Sequence, residues 1–196
     1  LLQACDRAAE LVNQVLTFSR QTENERRPMA MRPLIEEALK MLRSSLPATI
    51  QLESDIEPEA GVILGDPTRV HQVVMNLCTN AFHAMRQHGG TLRVSLCDVE
   101  IDKETAENHP DLTPGPYSLL TVSDTGTGMD QRTLQRLFEP YFSGEGTRAR
   151  SGMGLSIVHG IVKDHAGVLQ IQSAPGHGTT VQVYFPVCGE EVEEEG

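Results

Sequence analysis

The chain has 196 residues, of which 39% are hydrophobic and 22% charged, the balance of an ordinary globular domain and far from that of a disordered or collagen-like chain. Its net charge is −11, and five of the negatives (Glu190, Glu191, Glu193, Glu194, Glu195) fall in the last seven residues, so the remainder still carries −6; an acidic body of this kind disfavours nucleic acid and anionic membrane surfaces as partners. No apolar run approaches the ~18 residues needed to cross a bilayer, and Leu1 to Arg20 mixes acids and bases with its apolar positions, which excludes a signal peptide there.

Leu1, Ala4, Ala8, Leu11, Val15 and Phe18 recur at alternating spacings of three and four, the seam of a helix that packs in a coiled coil or bundle. The polar stretch from Gln21 to Pro28 interrupts that pattern and reads as a boundary. A second helix is expected from Pro33 to Leu46, with Leu34, Ile35, Ala38, Leu39, Leu42 and Leu46 on one face and Pro47 as its stop. Ile50 and Leu52 alternate with polar neighbours as in a strand, and Gly61 to Gly65 reads as a second short strand. Asp66-Pro67 is the N-cap and first position of a long, largely buried helix that runs to about Gln87, before Gly89-Gly90. Thr91 to Ile101 and Tyr117 to Val122 read as strands joined by a polar excursion from Asp102 to Pro116. The Gly-, Ser- and Arg-rich stretch from Ser143 to Ser151 lacks periodicity and is expected to be mobile. Met153 to Asp164 returns to helix, and Val168 to Gln172 and Thr179 to Phe185 alternate as strands around a Pro175 to Gly178 turn. From Gly189 the acidic tail is expected to be disordered. The sum is an α+β chain: a two-layer α/β sandwich with a mostly antiparallel or mixed sheet and helices on one face, preceded by an N-terminal helix.

Cys5, Cys78, Cys97 and Cys188 are widely separated and form no C-x-x-C pair, the pattern of reduced thiols in a cytoplasmic protein rather than of a zinc site or a disulfide scaffold. Chemistry concentrates in three other segments. Asn76 and Asn80 stand one helical turn apart in an apolar stretch, so their amides share a face; either the face borders a polar group such as a hydrated metal and its phosphates, or both amides are satisfied within the core. Asp124-Thr-Gly126-Thr-Gly128-Met129 follows a strand, where the carboxylate can accept from an exocyclic amine and the glycines let backbone approach a flat ring; the plainer reading is a glycine turn with an Asp cap. Ser151-Gly152-Met153-Gly154-Leu155 opens a helix, whose free N–H groups suit anionic phosphates or simply mark a flexible start.

Taken in order, Asn80, Asp124-x-Gly126-x-Gly128, Phe138-Glu-Pro-Tyr-Phe142, Gly152-Met-Gly-Leu-Ser-Ile-Val and Gly176-His-Gly-Thr-Thr resemble the ATP-binding catalytic domain of two-component sensor histidine kinases, within the superfamily that also holds type II topoisomerases, Hsp90 chaperones and MutL proteins. The resemblance spans roughly residues 30 to 187 and implies a Bergerat-type ATP-binding sandwich. It implies that Asp124 binds the adenine amine, that Gly126, Gly128 and Met129 shape the adenine wall, and that Thr179 supports the pocket through Asp124. Asn80 would hold Mg2+, with Asn76 near the triphosphate and His83 reaching a phosphate. Ser151, Gly152, Met153, Gly154 and Leu155 would cover the phosphates through their N–H groups, and Phe138, Pro140 and Phe142 would pack the lid.

Two departures refine this picture. Hydrolytic branches of the superfamily carry a Glu four residues before the magnesium Asn to activate water; here that position is Asn76, which cannot take a proton, so a kinase is favoured over an ATPase. In the lid, Glu145 stands where relatives tend to have a Lys, and Arg148 and Arg150 are the candidates to supply the missing phosphate charge. The segment from Asp6 to Arg20 resembles the end of the second helix of a dimerisation and phosphoacceptor hairpin, and none of the seven histidines lies between Leu1 and Arg20. The expected organisation is hairpin helix and linker over 1–27, catalytic domain over 28–188 and acidic tail over 189–196. The expected partners are ATP, a phosphoacceptor-His domain of the same, dimeric protein and a response regulator, with the fragment cytoplasmic, as the soluble part of a longer sensor.

Overall fold

The computed structural model describes residues 26–109, 111–137 and 154–189. The helix expected over Leu1 to Arg20, the acidic tail from 190 onward, and the lid with its glycine-rich entry over 138–153 lie outside the described residues.

Five strands form the main sheet in the order β2-β4-β5-β7-β6: β2 (Ile50–Ile56), β4 (Gly90–Ile101), β5 (Gly115–Asp124), β7 (Thr179–Pro186) and β6 (Val168–Ser173). Only β2 and β4 are parallel; every other neighbouring pair is antiparallel, so the sheet is mixed. β1 (Arg27–Ala30) pairs with β3 (Val62–Gly65) in a separate two-stranded ribbon. That strand falls where the sequence shows only a polar boundary, because four residues ending in Ala30 carry too little alternation to declare themselves.

Strand alternation sorts the sheet's two faces. Leu92, Val94 and Leu96 on β4, Leu120 and Val122 on β5, and Val181, Val183 and Phe185 on β7 meet the helices in one buried cluster. α1 (Met31–Ser45) contributes Met31, Ile35, Ala38, Leu39 and Leu42 to it, close to the face expected from sequence. α2 (Pro67–Met85) contributes Val70, Val73, Val74, Leu77, Cys78, Ala81 and Met85, and burial pushes the Cys78 thiol up to about 12. α5 (Gly154–Asp164) adds Val158, Ile161 and Val162.

Two short helices were not legible in the sequence: α3 (Lys103–Asn108), inside the excursion between β4 and β5, and α4 (Gln131–Gln135). Each is started by an aspartate cap, Asp102 accepting from Thr105 N–H and Asp130 from Thr133 N–H. Ala106 of α3 packs against a second small cluster of Ile101, Leu112, Tyr117 and Tyr184. These positions alternate with the main-core residues, so the excursion covers one end of the sheet's opposite face.

Candidate nucleotide site

α2 is the spine of the site, and its start is set by local chemistry. Asp66 accepts from the N–H groups of Thr68 at 2.8 Å and Arg69 at 3.3 Å, while Pro67 occupies a position whose N–H the helix would not use. Nineteen residues of helix then place Asn76, Asn80 and His83 along successive turns. Asn76 turns its side-chain nitrogen into a buried position where it finds no hydrogen-bond partner among the described residues. A buried donor left unpaired costs about 1–3 kcal/mol.

The N-terminus of α5 faces the middle of α2. A Cβ built on Gly154 would stand 3.5 Å from both Nδ2 and Oδ1 of Asn80, in ordinary van der Waals contact, so the entrance of α5 lies directly against that amide. Arg69 near the start of α2 bridges Asp164 at the end of α5 at 2.7 Å, which makes the two helices antiparallel. Leu155 packs its side chain on the core, leaving its backbone at the helix entrance. The ring of His83 lies 5.1 Å from that of Phe82, centroid to centroid.

The opposite wall comes from the segment after β5. Asp124 is 7% exposed at the strand's end and accepts from Gly126 N–H at 2.8 Å. Burial raises its pKa above the ordinary carboxylate value, and the N–H groups of Gly126 and Thr179 pull it part of the way back. The residue across the ladder from it is Thr179. Gly126 lies against the end of α2 so tightly that a Cβ there would come within 2.6 Å of the Ala84 Cβ. Thr127 N–H also donates to the Ala84 carbonyl at 3.2 Å, using one of the acceptors that a helix end leaves over. Gly128 has φ of +63°, and a side chain there would run into the Ala174 carbonyl oxygen. Met129 N–H donates to Ser173 Oγ at 2.9 Å.

Asn80 and Gly154 therefore meet where the start of α5 faces α2, with Asn76 one turn earlier on α2, and Asp124, Gly126, Gly128, Met129 and Thr179 gather at the sheet's end beside Ala84. Arg148, Arg150, Ser151, Gly152 and Met153 lie outside the described residues. Sequence reading missed three contributors. Ala84 must be small for Gly126 to approach; Thr125 accepts from Thr91 N–H at 2.9 Å through its hydroxyl while its own N–H donates to Thr91 O at 3.2 Å; Ser173 joins Met129 to the β6–β7 turn. No local signal marks them, since each is an ordinary small or polar residue whose partner is distant in sequence.

Comparison with known proteins identifies the family and the fold. The family model described as histidine kinase-, DNA gyrase B-, and HSP90-like ATPase matches residues 65–188. The chain belongs to that ATPase family. Within it the similarity runs to sensor histidine kinases. The chain is 30% identical over 189 residues to the sensor kinase CckA of Brucella abortus (strain 2308), covering 96% of this chain and 20% of that protein. It is also 30% identical over 199 residues to the sensor histidine kinase ZraS of Klebsiella oxytoca, covering 100% of this chain and 39% of that protein. The chain thus spans between a fifth and two-fifths of these two relatives' length. Among solved structures, the mycobacterial sensor histidine kinase MprB aligns with TM-score 0.64 and 26% identity over 82% of this chain and 97% of that one. Full-length ShkA shares the fold at TM-score 0.73 and 21% identity, over 97% of this chain and 38% of that one.

Proposed function

We propose that this chain binds Mg-ATP and, in the whole protein, presents the γ-phosphoryl group to a histidine on a dimerisation hairpin, for onward transfer to a response-regulator aspartate. The observation that carries the reading is the pairing of a buried, strand-end carboxylate, Asp124, with a buried amide donor, Asn76, that lacks a partner among the described residues. One is suited to an exocyclic amine and the other to a phosphate oxygen. Asn80, which faces the entrance of α5 at Gly154, carries a side-chain oxygen suited to a metal bound to that triphosphate and would hold Mg2+. Bound there, Mg2+ supplies charge neutralisation to the phosphates.

The chain's own groups position rather than react. Asp124 orients the base, Gly126, Gly128 and Met129 shape the wall against it, and Thr179 supports the carboxylate. His83, Arg148, Arg150 and the N–H groups of Ser151, Gly152, Met153, Gly154 and Leu155 are assigned to the phosphates. Asn76 stands where a hydrolase needs a base, and an amide cannot accept the proton of an attacking water. Asn76 at this position favours transfer to an incoming histidine over hydrolysis. In this organisation residues 1–27 are the end of the hairpin helix and its linker, 28–188 the catalytic domain and 189–196 an acidic tail of a dimeric, cytoplasm-facing kinase.

The test is calorimetric titration of a nonhydrolysable ATP analogue, with and without Mg2+, into the chain and its Asp124→Ala and Asn80→Ala variants. Loss of binding in the first variant and loss of magnesium dependence in the second support the assignment. An unaltered chain that fails to bind at millimolar analogue, or that turns ATP over steadily without an acceptor, overturns it.

A further inference from the structure

Asp124, Thr179 and Ser173 are successive register partners across β5, β7 and β6, with Asp124 opposite Thr179 and Thr179 opposite Ser173. Directly paired residues project to the same face of a sheet, so the three side chains form a row at the sheet's end on the face turned toward the helices. Ser173 Oγ closes that row with three contacts of 2.9 Å each: to Met129 N, to the Gly178 carbonyl oxygen and to Thr179 Oγ1.

A serine hydroxyl has one proton and two lone pairs, and these contacts account for all three. Met129 N–H can only donate, so it occupies one lone pair. The Gly178 carbonyl can only accept, so it takes the single Ser173 proton. The remaining contact must therefore run from the Thr179 O–H into the second Ser173 lone pair. This commits the Thr179 proton away from the neighbouring Asp124 and leaves the threonine oxygen with acceptor capacity alone.

We propose that Ser173 is a specificity-determining positioning residue, which fixes Thr179 as an acceptor so that Thr179 and Asp124 together select a purine bearing an exocyclic amine over one bearing an exocyclic carbonyl. The inference rests on the reading of Asp124 as the adenine acceptor. Two acceptors side by side match the two protons of an amino group, and they meet a carbonyl oxygen with lone pairs against lone pairs. Mismatch of this kind is where discrimination becomes large, because the buried groups are left unpaired. With Ser173 unable to accept, the Thr179 hydroxyl is free to rotate and donate, and a carbonyl-bearing base becomes tolerated.

The experiment is a set of calorimetric affinities for ATP, inosine triphosphate and inorganic triphosphate, measured on the full chain and on Ser173→Ala, Ser173→Thr and Thr179→Val. In the unaltered chain ATP is expected to bind more tightly than inosine triphosphate. In Ser173→Ala that ratio is expected to fall by about tenfold, with the affinity for inorganic triphosphate unchanged, and Ser173→Thr, which keeps the hydroxyl, restores the ratio. Should Ser173→Ala fail to fold, Ser173→Cys, whose sulfur is only a weak acceptor for the Thr179 proton, gives the same reading, and Thr179→Val shows whether the acceptor that Ser173 orients carries the preference. A Ser173→Ala variant that is less stable yet keeps the full ATP preference overturns this proposal while leaving the ATP reading intact. An unaltered chain that binds both nucleotides equally overturns the adenine role of Asp124 itself, and this proposal falls with it.

Discussion

His165 Nε2 accepts the backbone N–H of Asp66 at 3.2 Å, joining the residue that follows α5 to the residue that caps α2. Because that N–H can only donate, Nε2 must be the unprotonated nitrogen, and Nδ1–H therefore donates to the Ile161 carbonyl at 2.7 Å. With the Arg69–Asp164 bridge beside it, the ring holds the antiparallel helix pair at the end remote from Asn80 and Gly154.

Acid should loosen this joint. Burial holds the His165 pKa below its ordinary value of 6.5, assisted by Arg26 and Arg69 and opposed by the Ile161 carbonyl and Asp66. The unfolded chain therefore takes up this proton at a higher pH than the folded one, and stability from this group is full above about pH 6.5 and declines as pH falls below it. Thermal unfolding measured between pH 8 and pH 5 should show the gap between the unaltered chain and His165→Gln narrowing on acidification.

Asp124 carries the opposite linkage. Its folded pKa lies above the ordinary 3.8, chiefly through burial, so protonation favours the folded chain as pH falls through the interval between the two values. Binding moves the other way, because the protonated group loses its full acceptor capacity. Nucleotide affinity should fall on acidification at a pH above the usual carboxylate range, while Asp124→Asn binds about tenfold more weakly with a flat profile; titration calorimetry across pH reads both.

Ser118 is fully buried on β5 and its hydroxyl finds no partner among the described residues. A buried hydroxyl without a bond is worse than no hydroxyl. Ser118→Ala should raise stability by roughly 0.5–1 kcal/mol in urea denaturation, with nucleotide affinity unchanged, since the residue lies far along the strand from Asp124.

Ala166 follows α5 with φ of +53°, and the bonds from Gly167 N–H to Val162 O and from Ala166 N–H to Lys163 O close the helix in the left-handed turn that normally carries glycine. Ala166→Gly relieves the Cβ contact and should stabilise the chain by about 0.5–1 kcal/mol in the same denaturation assay.

Gly126→Ala should do the reverse. A Cβ at this position meets the Cβ of Ala84 at 2.6 Å and its carbonyl carbon at 2.7 Å, so the loop must lift from α2. The expected cost is about 1–3 kcal/mol, accompanied by weaker binding of the ATP analogue and read by denaturation and calorimetry together.

Much of this architecture was legible in the sequence because its signals are local. Asp66-Pro67 marks the start of α2 by capping chemistry that needs no partner beyond the next turn, and the observed helix, Pro67–Met85, begins where those two residues place it. Asn76 and Asn80 share a face by helical period alone, and the alternation of β4, β5 and β7 announces which side is buried. What only the tertiary structure decided is which distant segments meet. The contact of Gly126 with Ala84, the row from Asp124 through Thr179 to Ser173, and the span from His165 to Asp66 each join residues tens of positions apart. Serine, alanine and histidine are unremarkable where they stand in the chain. Their chemistry is set by a hydrogen-bond partner or a close backbone, and only chain folding brings either within reach.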